Sequence, residues 1–278
     1  MSAPDFSGHG YRWARHGVDP TRRPMCLAGV LALVAVAALT ALSALPARWV
    51  MAWVPETSPV TITDARGSLW SAQASLAVGT GPLRRGLPEP VRWHLAWAGG
   101  PHLVLSHAWL LGPLEIRPVW GGLRISGQTL QVPATVLTTL HAVFNTLEPG
   151  GELLLRWPDL RVGRGGAQAA PGQPLLLAHW QHARSALSRV APLGDYRLSV
   201  ETAAGPEPMY ALTLRTDRGP LSLEGSGTVT PAGRLRFDGK ARPDDSVPIE
   251  TQAALRRLLD VLGPKAGPDG ATPLRMHS

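Results

Sequence analysis

The feature that most constrains this chain is an uncharged apolar segment near its N-terminus. The sequence from Met25 to Leu45 reads MCLAGVLALVAVAALTALSAL and contains no Asp, Glu, Lys or Arg. At about 1.5 Å per residue, a helix of about 21 residues spans roughly 31 Å, close to the thickness of the hydrocarbon core of a bilayer. The segment therefore predicts a transmembrane helix over residues 25–45.

The charges on either side of this segment predict its orientation. Four arginines precede it, whereas Arg48 is the only basic residue directly after it; the four are Arg12, Arg15, Arg22 and Arg23. Because positive residues are retained on the cytoplasmic side, residues 1–24 are predicted to form a cytosolic tail and the bulk of the chain to be periplasmic. The sequence thus predicts a single-pass protein of the cell inner membrane.

A cleaved signal peptide is the competing interpretation, because small residues around Ser43 and Ala47 could form a cleavage site. The apolar part of a cleavable signal is about 7 to 15 residues long, which is shorter than this segment. The sequence therefore favours a retained helix. Trp49 and Trp53, just after the segment, would then lie in the interfacial aromatic belt and anchor the end of the helix.

Charge and cysteine content exclude several classes of protein. The formal net charge is +7, but the basic residues are scattered and accompany no zinc-finger, helix-turn-helix or RNA-recognition signature, so no nucleic-acid partner is predicted. Cys26 is the only cysteine, which excludes an intrachain disulfide. The fold must depend on its hydrophobic core.

Beyond residue 55 the dominant hydrophobic period is two, which predicts a mainly β fold: a large antiparallel, twisted sheet domain over residues 46–263. The pattern is clearest between residues 196 and 238, where apolar alternations are separated by Gly- and Pro-containing turns. These alternations are Tyr196-Leu198-Val200, Leu212-Leu214, Leu221-Leu223 and Leu235-Phe237. The segment is therefore predicted to form an antiparallel meander with one apolar face.

A weak internal echo points to two related halves. The segments Gly67–Leu76 and Gly151–Leu160 both begin with Gly, end with Leu and precede a Trp-bearing stretch. This echo predicts β-rich halves over about residues 56–130 and 150–263.

Two or three short helices are expected. Leucines share one face over Val247–Leu262, a similar pattern covers Thr135–Leu147, and Trp180–Val190 fits either a third helix or an interrupted strand. Residues 264–278 have the composition of a flexible tail.

The search for chemistry identifies no catalytic residue, cofactor site or metal site. The pairs His179/His182 and His102/His107 lack the acidic or cysteine companions of a closed metal site. The glycine-rich stretches around Gly163 and Gly233 have the wrong spacing for nucleotide-binding loops. A non-catalytic protein is therefore predicted.

The chain contains ten tryptophans, which raises the alternative of a platform for carbohydrate or lipid. Trp93, Trp97 and Trp157 fall within apolar alternations, where they are predicted to fill a core.

The order of these features resembles protein N of the bacterial type II secretion system, the general secretory pathway protein N. The resemblance covers about residues 25–263 and depends on short stretches in a fixed order. These are Ala65–Ala74 (ARGSLWSAQA), Val91–Trp97 (VRWHLAW), Trp180–Ala183 (WQHA), Pro192–Leu198 (PLGDYRL) and Leu223–Gly227 (LEGSG).

The resemblance implies a component of the type II secretion system, with the inner-membrane platform and the secretin as candidate partners. It carries over no catalytic residues. The matching positions that it implies to be structural are Gly67, Trp70, Trp93, Trp180, Gly194 and Tyr196. The alternative is an AsmA-like lipid-handling or lipid-transfer protein, in which the apolar face of the sheet forms an open groove for lipid.

Overall fold

The computed structural model describes residues 33–37, 40, 45–47, 60–78, 85–139, 142–203, 205, 208–262, 267 and 270–277. The chain divides into two compact units, Met1–Leu45 and Pro46–Ser278. Within the first unit, residues 33–37 and 40 are helical. The described residues include no helix with both the length and the apolar character needed to cross a membrane. The predicted cytosolic tail, most of the predicted transmembrane helix, Trp49 and Trp53 lie outside the described residues.

The second unit is built from two antiparallel sheets. This confirms the predicted mainly β fold with antiparallel strands, although the sequence predicted one large sheet. The strands of the first sheet are β1 (Val60–Ser68), β2 (Ser71–Val78), β3 (Arg85–Gly86), β4 (Val91–Ala96), β5 (His102–Ser106), β6 (Leu114–Val119), β7 (Gly122–Ile125), β10 (Leu160–Gly163) and β11 (Gly166–Gln168). Their order is β1-β2-β4-β5-β6-β7-β10-β11, and β3 pairs with β2.

The second sheet contains the meander predicted between residues 196 and 238. Its strands are β8 (Gln128–Pro133), β9 (Pro149–Trp157), β12 (Leu176–Ser185), β13 (Gly194–Thr202), β14 (Tyr210–Arg218), β15 (Leu221–Val229), β16 (Leu235–Pro243) and β17 (Thr272–His277). Their order is β17-β16-β15-β14-β13-β12-β9-β8. Four of these strands, β13 to β16, form the predicted meander, so that prediction is confirmed.

Helices are few in the described part of this unit. A 3₁₀ helix covers Ala134–Thr139, and α1 (Ala142–Leu147) and α2 (Ile249–Leu262) follow later in the chain. The helix predicted over Val247–Leu262 is confirmed as α2. The single helix predicted over Thr135–Leu147 is instead divided between the 3₁₀ helix and α1. The Trp180–Val190 segment begins as strand β12, which agrees with the interrupted-strand alternative.

The strand order corrects two predictions from the sequence. Residues 160–168 form β10 and β11 of the first sheet, although the predicted boundary put them in the second half. The prediction of a flexible tail over residues 264–278 is wrong for Thr272–His277, which pair with β16. The first error arises because the alternation of apolar residues identifies a strand without identifying the strand that it will pair with. The second arises because composition alone did not identify Thr272–His277 as a strand.

The buried core lies against the second sheet, in two clusters. One cluster joins Leu193, Leu221 and Ala241 of the sheet side to Leu255, Leu258 and Leu259 of α2. The other joins Val132, Ala134 and Leu153, with Trp109, Val136 and Trp180 packed against them. The helical stripe of leucines therefore covers one region of the sheet, and the 3₁₀ helix covers another.

Backbone contacts connect the two sheets. The Leu111 amide donates to the Thr129 carbonyl at 3.0 Å, and the Gln131 amide donates to the Trp109 carbonyl at 2.8 Å. These bonds place the segment after β5 along β8, the terminal strand of the second sheet. At the beginning of the unit, Pro46 forms an antiparallel bridge with Ser68 at the end of β1.

Candidate functional site

The structure places the six predicted motif positions in two separate groups. Gly67 lies at the end of β1, Trp70 lies in the β1–β2 turn and Trp93 lies in β4, so these three belong to the first sheet. The other three, Trp180, Gly194 and Tyr196, lie on the adjacent strands β12 and β13 of the second sheet. The sequence motif thus corresponds to two local structures, one in each sheet.

The first group fastens the β1–β2 turn to β4. Gly67 has φ of +105°, and a Cβ atom there would lie 2.6 Å from the carbonyl oxygen of Ser71. Glycine is therefore required for both conformation and space. The Trp93 indole Nε1 donates to the Leu69 carbonyl at 3.0 Å, and the Leu95 amide donates to the Trp70 carbonyl at 2.7 Å. Both bonds hold the turn against the neighbouring strand.

The second group forms an aromatic contact between a buried tyrosine and a half-buried tryptophan. The rings of Trp180 and Tyr196 lie 5.9 Å apart, centroid to centroid, with 57° between their planes. The Trp180 indole donates to the Gly150 carbonyl at 3.0 Å, and the Tyr196 hydroxyl donates to the Leu221 carbonyl at 3.1 Å. Burial, with the nearby Asp195 carboxylate, raises the pKa of the Tyr196 phenol. The hydroxyl is therefore held as a neutral donor that connects β13 to β15.

A β-bulge beside this contact lies next to a cluster of charged side chains. The register of β12 with β13 shifts between Trp180 and Ala183, and His182 takes a positive φ of 50°. The Asp195 carboxylate accepts a hydrogen bond from the His182 amide at 2.6 Å and another from the Arg218 guanidinium. Asp195 therefore caps a backbone donor that the bulge has removed from the strand ladder.

Gly194 allows β13 and the end of β14 to approach each other closely beside the bulge. A Cβ atom at Gly194 would lie 2.8 Å from the Arg218 carbonyl oxygen and 3.0 Å from the Tyr196 hydroxyl. The motif glycine thus leaves room for β14 to approach β13 beside the Asp195–Arg218 pair.

The environment of Asp195 keeps its carboxylate ionised. Partial burial alone would raise its pKa, but the His182 amide and the Arg218 guanidinium outweigh burial, so the pKa of Asp195 is lowered from its ordinary value. The Asp195 side chain is 14% exposed and that of Arg218 is 77% exposed. Because the arginine is largely in water, the backbone amide is the stronger structural reason for the carboxylate to stay charged.

A second ion pair lies next to the first. The Arg197 guanidinium donates to the Asp217 carboxylate at 3.1 Å, and His179 Nδ1 lies 3.8 Å from the same carboxylate. Together the two pairs line a shallow polar depression of about 430 Å³. We call the side chains His179, Asp195, Arg197, Asp217 and Arg218 the Asp195 cluster.

The chemistry of the Asp195 cluster is that of a structural brace. Both carboxylates are already engaged by arginines, and Asp195 also holds the bulged backbone. In the described parts of the chain, no group of three or more His, Cys, Asp or Glu residues could hold a metal ion. His179 and His182 do not share a helical face, because both belong to β12.

The imidazoles of the other histidine pair contact different backbone carbonyls. His102 is buried, with Nδ1 2.9 Å from the Gly100 carbonyl, whereas His107 lies 3.1 Å through Nε2 from the Glu89 carbonyl. Each imidazole therefore has its own backbone partner.

The comparison with known proteins is decisive for the family. Residues 58–275 match the family described as Type II secretion system (T2SS), protein N. The chain belongs to this family.

Two curated relatives of the family align along nearly the whole chain. The type II secretion system protein N of Klebsiella pneumoniae is 27% identical over 256 residues, which cover 88% of this chain and 92% of the relative. The protein of the same name from Pectobacterium carotovorum subsp. carotovorum is 28% identical over 253 residues, covering 89% and 94% respectively. No solved structure matches the chain.

The match to protein N covers both groups of motif residues and extends into β17. Sequence reasoning identified Trp180, Gly194 and Tyr196 but missed His182, Asp195 and Arg218 as a unit. The available sequence signal was the position of Asp195 between the motif residues Gly194 and Tyr196. The bulge that gives its carboxylate an amide partner is a tertiary feature.

Proposed function

We propose that this chain is a non-catalytic inner-membrane component of the type II secretion system, whose periplasmic domain contributes to or stabilises the machinery that exports folded proteins across the outer membrane. The observation that carries the proposal is the family match over residues 58–275. The apolar segment over residues 25–45, with arginines before it, supports a single-pass anchor with a cytoplasmic N-terminus.

The second sheet offers a physical means of joining an assembly. Its strand order ends at β17, whereas the central amide of β11, the terminal strand of the first sheet, already donates to the Tyr210 hydroxyl at 2.8 Å. Terminal strands present backbone donors and acceptors to which an extended segment of another protein can add as a further strand. In this proposal, other secretion components, in the inner-membrane platform or at the secretin, dock at such an edge.

Deletion of the gene in its host tests the proposed function. Secreted folded enzymes are assayed in the medium and in the periplasm, and the strain is complemented with the full-length chain or with residues 46–278 exported behind a cleavable signal. We expect enzymes to accumulate in the periplasm and the anchored form to restore secretion better than the anchor-less form. Both forms must be present at equal levels in the periplasm for this comparison.

Unchanged secretion in the deletion strain would contradict the proposal. A matched control is a full-length variant in which the apolar segment is replaced by an unrelated transmembrane helix of the same length. Restoration by this variant would show that residues 25–45 serve as an anchor, whereas failure would assign them a sequence-specific role.

Lipid handling is a second candidate, supported by one feature of the second sheet. Between its two core clusters, Leu198, Val200, Leu212 and Leu214 are only half-buried. They lie on paired positions of β13 and β14, so they form a continuous apolar strip. Unchanged secretion combined with a leaky outer-membrane barrier in the deletion strain would favour this candidate.

A further inference from the structure

Two tryptophans of the first sheet are exposed rather than buried, which corrects the prediction that Trp97 fills the core. Trp97 is 69% exposed and Trp120 is fully exposed. Leu123, close to Trp120 in sequence, is 44% exposed. Single exposed apolar residues are ordinary, but exposed tryptophans at two hairpin turns of one sheet form a pattern that needs an explanation.

The strand register places both tryptophans at the same end of the sheet. Trp97 begins the turn after β4, where Ala96 pairs with His102, and Trp120 lies in the turn after β6, where Val119 pairs with Gly122. Because β5 and β6 are antiparallel neighbours, these two turns project from one end. We call this the turn end of the first sheet.

The turn end is basic as well as aromatic. Its three turn segments, residues 97–101, 117–124 and 161–166, contain four arginines and no Asp or Glu. Arg117 is paired with the Glu115 carboxylate at 2.8 Å, so the excess positive charge comes from the other three. One of them, Arg164, lies in the exposed β10–β11 turn. Such a surface is complementary to the anionic headgroups of a bilayer.

The first residue of the domain also lies at this end. Pro46, the residue directly after the apolar segment, bridges Ser68 at the end of β1, and the bridge is antiparallel. The β1–β2 turn lies at the turn end because Ser71, directly after it, pairs with His94 near the end of β4. Pro46 therefore lies at the turn end as well. Ala47 is 1% exposed, so this entry point is packed into the domain.

We propose that the turn end of the first sheet rests in the interfacial region of the membrane, with Trp97 and Trp120 inserted at headgroup level. Tryptophan favours this region because its ring is apolar and its N–H needs a polar partner. The inference depends on the membrane anchor in the proposed function. It adds a second attachment, which orients the sheet and directs the β5–β6 loop away from the bilayer.

Depth-dependent quenching in the full-length chain tests this contact. In a Cys26→Ser background, single variants Trp97→Cys and Trp120→Cys are labelled with the fluorophore NBD. The chain is reconstituted in bilayer nanodiscs of phosphatidylethanolamine and phosphatidylglycerol with or without doxyl-labelled lipid. Leu111→Cys is the matched control, because Leu111 is 67% exposed and lies in the β5–β6 loop at the opposite end.

We expect several-fold stronger quenching by doxyl lipid at positions 97 and 120 than at position 111, together with blue-shifted emission. Equal quenching at all three positions would overturn the inference. This is also the result expected if the turn end docks a protein and not the membrane. Positions 97 and 120 are both used so that one poorly folded variant cannot decide the result. Circular dichroism checks the fold of each variant.

Cys26 separates failure of this inference from failure of the anchor. In the unmodified chain, the fluorophore on this cysteine, which lies within the apolar segment, should be quenched by doxyl lipid if the segment is inserted. Quenching at Cys26 without quenching at positions 97 and 120 would overturn the membrane contact alone. Absence of quenching at every position would contradict both the anchor and the contact.

Discussion

The two sheets of this domain are stabilised in different ways. In the described part of the first sheet the buried side chains are few and mostly small, such as Ala74, Ala77 and His102, and its turns carry exposed tryptophans. The second sheet buries Leu153, Tyr196 and Phe237. Similar strand patterns can therefore support a packed core in one sheet and a mostly half-buried surface in the other.

The difference originates in what covers each sheet. The second sheet has α2, whose Leu255, Leu258 and Leu259 pack against Leu221 and other sheet residues. Among the described residues from β1 to β7 of the first sheet, no helix lies between consecutive strands. Its hydrogen-bonded hairpins and half-buried side chains must supply more of its stability, which leaves surface available for contacts outside the domain.

Truncation of Leu255 should give the largest effect and would test whether the core is concentrated against the second sheet. Leu255 is fully buried, so Leu255→Ala should lower the free energy of unfolding by about 2–5 kcal/mol. The comparison variant is Leu103→Ala, in half-buried β5, where we expect roughly half that loss or less. Urea unfolding of the detergent-solubilised full chain measures both. Equal losses would show that the first sheet has a core of similar strength.

Substitution of Gly67 tests the first sheet directly. Gly67→Ala places a Cβ 2.6 Å from the Ser71 carbonyl at φ of +105°, so we expect a loss of about 2–4 kcal/mol. Gly121→Ala is the matched control, because its φ is +82° and no atom lies within 4 Å of the added Cβ. It should cost about 1 kcal/mol, from strain alone. Thermal unfolding by circular dichroism should separate the two variants, and equal costs would contradict the role of close packing at Gly67.

Substitution of Asp195 in the Asp195 cluster should give the smallest loss of stability, with a distinct dependence on pH. The folded-state pKa of Asp195 lies below the unfolded value of about 3.9. Its stabilisation is therefore present above about pH 4 and is lost as pH falls through the folded-state pKa. At neutral pH, Asp195→Asn should cost about 1–2 kcal/mol, mainly by weakening the acceptor for the His182 amide.

The control for this substitution is Asp238→Asn, whose carboxylate lies 3.6 Å from Arg275 in an exposed pair. It should change stability by about 1 kcal/mol or less. Urea unfolding at neutral and acidic pH compares both variants with the unmodified chain. If Asp195→Asn keeps the same acid dependence as the unmodified chain, Asp195 is not the source of that dependence.

The sequence by itself determined the elements whose patterns are local. Alternation between residues 196 and 238 predicted the four strands of the meander, and the spacing of Leu255, Leu258 and Leu259 predicted α2. The order of the Gly- and Trp-containing motifs was sufficient to indicate the family. At the candidate site, Trp180, Gly194 and Tyr196 were identified for the same reason.

Only the tertiary structure decided which strands pair and which side chains are covered. Nothing local marks β10 as a partner of β7, or β17 as a partner of β16, because a period of two is the same for every strand. Trp93 and Trp97 belong to one alternation, yet Trp93 reaches the Leu69 carbonyl while Trp97 projects from a turn. The Asp195 cluster likewise depends on a bulge that frees the His182 amide next to the Asp195 carboxylate. These two residues are 13 positions apart in sequence, so their contact cannot be read from the sequence.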